Sequence, residues 1–221
     1  MENFRYKSQI HKNGFTLADV LITLVIVGVV AAMTIPTLIN TTQKQEYVSR
    51  LKKTYSTLTQ VTNKIIAEEG NPRADIGGWA SSGENVYNLY KVRLNNAKDC
   101  GSNTGCFQQR RYKNIEGNEI WYDLETYGNK LILSDGVQVF FDNTSSNCNA
   151  ADWWTTTVNA CEIIWVDVNG EKKPNIVGRD LFAFELRESG LFPRGCEANN
   201  CSKNWSVNCA CRVLRENAMN Y

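Results

Sequence analysis

The sequence predicts an α+β protein in which a long N-terminal helix, membrane-spanning in its first half, packs on a small antiparallel β-sheet head with disulfides. Three features of the 221 residues predict this fold: an uncharged apolar run, helically spaced apolar residues after it, and strand and turn patterns in a cysteine-rich second half. We expect a leader at residues 1–14, the helix at 15–69 with its membrane span at about 15–39, and the head at 70–221.

The apolar run starts at Val20, and no charged residue follows until Lys44. A helix rises about 1.5 Å per residue, so this run is long enough to cross a hydrocarbon core of about 30 Å. The segment before the run has more basic than acidic side chains, which should keep the N-terminus in the cytoplasm. The rest of the chain should then be exported.

Helical spacing continues past the membrane span. Apolar residues recur at intervals of three, four or seven at Val48, Leu51, Tyr55, Leu58 and Ile65. Gly28 and Pro36 predict a bend or local unwinding inside the helix, because glycine weakens a helix and proline lacks a backbone N–H. The Gly70-Asn71-Pro72 stretch should end the helix.

Strand signals occupy the second half of the chain. Residues 130–134 and 137–141 flank an Asp135-Gly136 turn, which is a strong hairpin pattern, and residues 162–168 and 182–186 extend it to a meander of about four strands. Residues 74–107 suggest an irregular connection with one short helix around 84–94. The last eleven residues fit either a strand or a helix.

All eight cysteines lie in the head: Cys100, Cys106, Cys148, Cys161, Cys196, Cys201, Cys209 and Cys211. Their number indicates an oxidising compartment. Proximity favours two pairs, Cys100 with Cys106 and Cys148 with Cys161, and the sequence leaves the other pairs open. A zinc site is the alternative, but the spacings lack the paired two-residue gaps of zinc ribbons.

Composition argues against two classes of function. The 24 Lys plus Arg against 23 Asp plus Glu leave a net charge of +1, so the chain has no basic field to hold nucleic acid. The single histidine, His11, lies in the expected leader, so the rest of the chain lacks the commonest catalytic base. We therefore expect a protein that is not an enzyme and does not bind nucleic acid.

One short segment carries a family resemblance. The stretch before and into the apolar run reads Lys12-Asn13-Gly14-Phe15-Thr16-Leu17-Ala18-Asp19-Val20-Leu21. It resembles the processing site of type IV pilins and type II secretion pseudopilins, with a basic leader ending in glycine and an acidic residue fifth after the cut. Gly28 and Pro36 fall where that family has a helix-weakening glycine and a kinking proline. The resemblance covers about the first sixty residues, and it departs from the family in having Asp19 where glutamate is usual.

The resemblance implies a filament subunit that is cleaved after Gly14 and methylated on the new amine of Phe15. Its partners would be other subunits, membrane lipid, a prepilin peptidase that also methylates, an assembly ATPase and its inner-membrane platform. The chain would first reside in the inner membrane with its head outside the cytoplasm, and later in a periplasmic or cell-surface filament.

Asp19 fits this interpretation physically. A carboxylate near the end of a membrane helix is costly unless it is paired, and cleavage would create a cation at Phe15 of a neighbouring copy. The apolar helix could be covered either by lipid or by other copies of itself. The simpler alternative is a single-pass anchor in which Asp19 reaches the membrane interface.

Three weaker patterns remain in the head. Asp167, Asn169 and Asp180 collect oxygen ligands in a loop similar to the calcium loops of some pseudopilins, although a solvated turn explains the spacing better. Trp153-Trp154 could form a sugar or surface platform, and Arg110-Arg111-Tyr112-Lys113 could touch DNA. Core packing and a solvated face are the respective alternatives.

Two other functions stay open. One is a membrane-tethered extracellular binding module or enzyme, for which Asp123 and Glu125 could serve as a glycosidase carboxylate pair. The other is a minor subunit at a filament tip that binds DNA, sugar or a surface. Motility, secretion, DNA uptake and adhesion are not distinguished by the sequence, nor are major and minor subunits.

Overall fold

A computed structural model describes residues 14, 16–72, 78, 80, 82–107, 112–120, 123–142, 148, 160–196, 201–204 and 206–221. Its longest element is helix α1, Leu17–Glu69, which contains both the apolar run and the predicted continuation. Gly70, in a left-handed conformation with φ of 85°, follows its last residue. The predicted helix and its C-terminal stop are therefore confirmed.

Helix α1 is continuous through Gly28 and Pro36. The local unwinding expected there is absent, because the hydrogen bonds on either side hold the helix although Pro36 cannot donate to the carbonyl of Ala32. A bend at these residues stays a prediction.

The second half of α1 supplies one wall of the head core. Leu51, Leu58 and Ile65, which lie seven residues apart, are 0% exposed and belong to the same apolar cluster as Phe184 of the sheet. Tyr55 stacks on Phe184 with 5.4 Å between the ring centroids. Helical spacing thus places the apolar stripe against the sheet, as the sequence predicts.

The sheet has six antiparallel strands in the order β1-β2-β3-β4-β5-β6, so each strand pairs with its neighbour in the chain. The strands are β1 Asn96–Gly101, β2 Asn129–Leu133, β3 Gln138–Phe141, β4 Glu162–Asp167, β5 Leu181–Arg187 and β6 Gly190–Pro193. Strands β2 to β5 confirm the predicted meander. The second half of helix α1 covers one face of the sheet, and a second apolar cluster that includes Phe140 and Trp165 covers the other.

The two edge strands correct the predicted count of about four. Strand β1 lies in the segment expected to be irregular, and its sequence, Asn-Ala-Lys-Asp-Cys-Gly, has low strand propensity. It forms because β2 supplies its hydrogen-bond partners, with two register shifts along the pair. Strand β6 is four residues long and ends at Pro193, a residue suited to a sheet edge.

Two short helices complete the described head. Helix α2, Gly83–Lys91, confirms the expected short helix, and the Ser82 hydroxyl caps it by accepting from the Asn85 N–H. Helix α3, Ala210–Glu216, follows a 3₁₀ turn at Ser206–Cys209, so the C-terminal segment is helical and not a strand.

Four disulfides hold the head: Cys100–Cys106, Cys148–Cys161, Cys196–Cys211 and Cys201–Cys209. The first two are the pairs favoured by proximity. The other two are nested, and both join the segment after β6 to the start of α3. With every cysteine in a disulfide, a four-cysteine zinc site does not form.

Candidate assembly segment and loop sites

The first half of α1 presents an apolar surface with no covering layer in the described chain. Its large apolar side chains from Leu17 to Ile39 are 44% to 78% exposed. Helix α1 is the one described helix long and apolar enough to cross a membrane, and its position near the N-terminus fits a membrane anchor or a signal sequence. Such a surface requires lipid or another apolar surface against it.

The threonine hydroxyls of helix α1 in and just after this segment form hydrogen bonds within the helix. Hydroxyls of Thr23, Thr34, Thr37, Thr41 and Thr42 each donate to a carbonyl three or four residues earlier, at 2.8 to 2.9 Å. A hydroxyl in lipid needs such a partner, because no water reaches it. These polar side chains are therefore compatible with an apolar surrounding.

Asp19 is held by Thr16 at the start of the helix. The Thr16 backbone N–H and hydroxyl both donate to Asp19 Oδ2, at 3.1 and 2.7 Å, and the Asp19 N–H donates to the Thr16 hydroxyl at 3.2 Å. This reciprocal arrangement is a capping box, which satisfies otherwise free backbone donors. The Thr-x-x-Asp spacing before an apolar run is the sequence signal of a capping box. This capping role was not assigned to Thr16 in the sequence analysis.

The remaining expected assembly and processing residues are only partly described. Gly14 is exposed, and Phe15 and the leader before Gly14 lie outside the described residues. Trp153-Trp154 and Arg110-Arg111 also lie outside them. Cleavage and methylation at the Gly14-Phe15 junction stay predictions.

The loop that resembles calcium loops does bring Asp167, Asn169 and Asp180 together. The Asn169 side-chain amide donates to Asp180 Oδ2 at 3.2 Å, and the Asn169 N–H donates to Asp167 Oδ1 at 3.0 Å. The Tyr112 hydroxyl donates to Asp167 Oδ2 at 2.6 Å. Both aspartates are 0% exposed. The cluster also reaches α1, because the Asn169 amide donates to the Tyr47 hydroxyl at 3.2 Å.

Burial dominates the electrostatics of this acid pair. It raises the pKa of Asp167 to about 8, with the charge of Asp180 as the second cause. Burial also raises the pKa of Asp180 to about 6, although the backbone N–H groups of Ile176 and Asn175 oppose the shift. A proton held by the pair relieves the repulsion between the two carboxylates.

The acid pair fits calcium poorly in this arrangement. Every carboxylate oxygen already accepts a protein hydrogen bond, from Asn169, Gly170 and Tyr112 at Asp167 and from Asn175, Ile176 and Asn169 at Asp180. Among the described residues, no group of three or more His, Cys, Asp or Glu side chains could hold a metal ion. The pair stabilises the loop through hydrogen bonds, and a calcium ion would have to displace these donors.

The two carboxylates considered for glycosidase chemistry also accept hydrogen bonds from loop residues. Glu125 is 2% exposed and accepts from the backbone N–H groups of Gly105 and Phe107, the latter at 2.7 Å. Asp123 accepts from the Glu125 N–H and the Thr126 hydroxyl, at 2.9 and 2.7 Å. These bonds fix the chain around the Cys100–Cys106 disulfide.

The fold and these sites define a class: an α+β protein with a membrane-length N-terminal helix and a disulfide-bonded antiparallel sheet. Comparison of the chain with protein-family models, curated proteins and solved structures finds no match.

Proposed function

We propose that this chain is a structural subunit of a type IV pilus or a type II secretion-like pseudopilus. In this proposal it is cleaved after Gly14, methylated at Phe15, and polymerised through the apolar half of α1. The observation that carries the proposal is an apolar first half of α1 that the described chain leaves uncovered and whose only acid, Asp19, is the fifth residue after the glycine that ends a basic leader.

The apolar surface supports exchange between lipid and other subunits. Leu24, Val25 and Ile26 are consecutive and all more than half exposed, so apolar surface covers the whole circumference and not one stripe. Such a helix loses little when lipid is replaced by copies of itself. The internally bonded threonines allow the same transfer, because they bring no unpaired donors into the new contact.

Asp19 supports a specific contact between subunits. Thr16 engages Oδ2, and Oδ1 has no hydrogen-bond partner among the described residues. One oxygen can therefore cap the helix while the other accepts from the Phe15 amine of a neighbour. Methylation keeps that amine positively charged, so the ion pair survives the modification.

The proposed partner proteins follow from the energy that filament assembly requires. Drawing subunits from a membrane into a filament needs energy, and in this proposal other proteins supply it. A peptidase and methylase, an assembly ATPase and an inner-membrane platform are therefore the proposed partners. The head would remain on the extracytoplasmic side, in agreement with its four disulfides.

The test is the intact mass and N-terminal sequence of protein sheared from the cells that make it. We expect a chain that begins at methylated Phe15 and sediments as filaments. A chain that still begins at Met1, or mature chains that never associate, would overturn the proposal. A tethered binding module would instead be recovered only with membranes.

A further inference from the structure

A polar cleft opens on the head between α2 and β1. Its volume is about 360 Å³, within the range of small-ligand sites, and it lies beside the turn that follows β1. No pattern in the sequence pointed to it, because its residues come from segments with neither a strong helical nor a strong strand period.

The inner wall of the cleft is held rigidly. Asp99 accepts from the Tyr87 hydroxyl and from the Gly101 N–H at Oδ1, and its Oδ2 pairs with the Lys91 ammonium at 2.6 Å. The adjacent Cys100–Cys106 disulfide closes the turn that forms one side. A wall fixed in this way binds a ligand without first losing conformational freedom.

The rim carries polar side chains that are available for a ligand. Glu84, Asn88, Ser102 and Asn103 line the cleft, are exposed, and make no side-chain hydrogen bond within the described part of the chain. Two amides, a hydroxyl and a carboxylate together offer both donors and acceptors.

The chemistry of the lining selects the ligand class. An apolar ligand would find almost no apolar wall. An anion would face Glu84, and a metal ion would have to displace the donors that already occupy Asp99. The hydroxyl groups of a ligand both donate and accept hydrogen bonds, so they match the amides and the carboxylate of the rim. They incur none of these costs.

We propose that this cleft binds a neutral carbohydrate through its hydroxyl groups. The inference goes beyond the proposed filament function. Tyr87 is 3% exposed and offers no ring face for stacking, so a single cleft should bind a sugar only weakly. Copies repeated along a filament would raise the overall affinity about a hundredfold or more by avidity, and this part alone rests on the proposed function.

The test uses the full chain in a detergent without a sugar headgroup, so that binding is measured without filaments. The probes are mono- to tetrasaccharides of glucose, galactose, mannose, N-acetylglucosamine and N-acetylgalactosamine, free in solution, each tested by saturation-transfer NMR. We expect binding of at least one probe, and at least tenfold weaker binding in Asn88→Ala and Asn103→Ala. Asn63→Ala, which removes an exposed helical amide outside the cleft, is the matched control and should bind normally.

Absence of binding to every probe would overturn the inference, as would equal loss in the Asn63→Ala control. Filament formation that depends on Asn103 without any sugar binding would instead assign the cleft to contact between subunits. A bound sugar with a chain that never polymerises would leave the cleft established and refute the filament function alone.

Discussion

At the scale of single residues, Asp19 has a local role with Thr16 and a proposed role between subunits. The capping box uses Oδ2 of Asp19 and leaves Oδ1 for a cation. Through Oδ2 this aspartate, one methylene shorter than the glutamate usual in the family that the segment resembles, is hydrogen-bonded within its own chain. The proposed contact then depends on the carboxylate itself and less on the length of its side chain.

Replacing Asp19 by Ala should leave the protein in the membrane but reduce its amount in sheared filaments at least tenfold. The reason is that an unpaired buried amine costs about 3 kcal/mol or more. Immunoblots of the membrane and sheared fractions measure the two pools. Asp19→Glu is the matched control and should assemble; normal incorporation of Asp19→Ala would refute the pairing.

The buried acid pair should make head stability depend on pH. Burial raises the pKa of Asp167 from 3.8 to about 8 and of Asp180 from 3.8 to about 6. Folded-state pKa values above the unfolded value of 3.8 give stability that is complete below about pH 3.8 and is lost progressively as pH rises to about 6 for Asp180 and about 8 for Asp167. The thermal midpoint of the full chain should therefore be higher at pH 5 than at pH 9.

Asp167→Asn should flatten that pH profile, because the amide mimics the protonated acid and carries no charge to bury. Glu116→Gln removes one negative charge from an exposed position and should keep the wild-type slope. Circular dichroism melts at several pH values provide the comparison. An unchanged slope in Asp167→Asn would show that other groups control the dependence.

Calcium should leave the thermal midpoint of the head unchanged, since protein donors occupy all four oxygens of the acid pair. Melts in excess calcium and in excess chelator measure this directly. A higher midpoint in calcium that disappears in Asp180→Asn would mean that the loop rearranges to bind the ion, as the sequence resemblance suggests.

At the scale of elements, disulfides replace regular hydrogen bonding where the chain leaves the sheet. Cys196–Cys211 joins the chain after β6 to α3, and Cys201–Cys209 is nested inside it. Cys100–Cys106 fastens the turn after the irregular edge strand β1. Strands β2 to β5, paired on both sides, need no such links along their length.

Removing Cys196–Cys211 by a double serine substitution should destabilise the head by about 3 kcal/mol, and removing Cys100–Cys106 should cost about 2 kcal/mol. The difference follows from sequence separations of 15 and 6 residues. Urea unfolding of the full chain under non-reducing conditions gives both values. The reverse order would mean that native packing at the β1 turn outweighs loop entropy.

At the scale of the whole molecule, an apolar segment without cysteine precedes a head in which every cysteine is paired. This distribution matches a chain that crosses from a reducing to an oxidising compartment between its two parts. The topology, the disulfides and the proposed filament are thus consistent with one another.

Protein recovered from membranes should contain no thiol that reacts with maleimide under denaturing, non-reducing conditions. Mass spectrometry before and after reduction counts the labels. A chain lacking residues 17–39 should stay in the reducing compartment and acquire labels on its cysteines. Full labelling of the intact chain would contradict export of the head.

Strong local patterns made much of the fold predictable. The apolar run, the stripe through Leu51 and Leu58, and the Asp135-Gly136 hairpin predict their elements because spacing alone determines which side chains share a face. Strand β1 was not predicted, because it is a strand through its pairing with β2 and not through its own strand propensity. The capping role of Thr16 had a visible signal in the sequence, whereas the cleft beside Asp99 had no such signal.

The sequence by itself determined the membrane-length helix, the short helix α2 and the order of strands β2 to β5, since periodicity and uncharged length are properties of neighbouring residues. Only the tertiary structure decided the nested disulfides, the burial of Asp167 beside Asp180, and the cleft between α2 and β1. These features join residues far apart in the chain, and their energies depend on distances and burial that arise only after the sheet has formed.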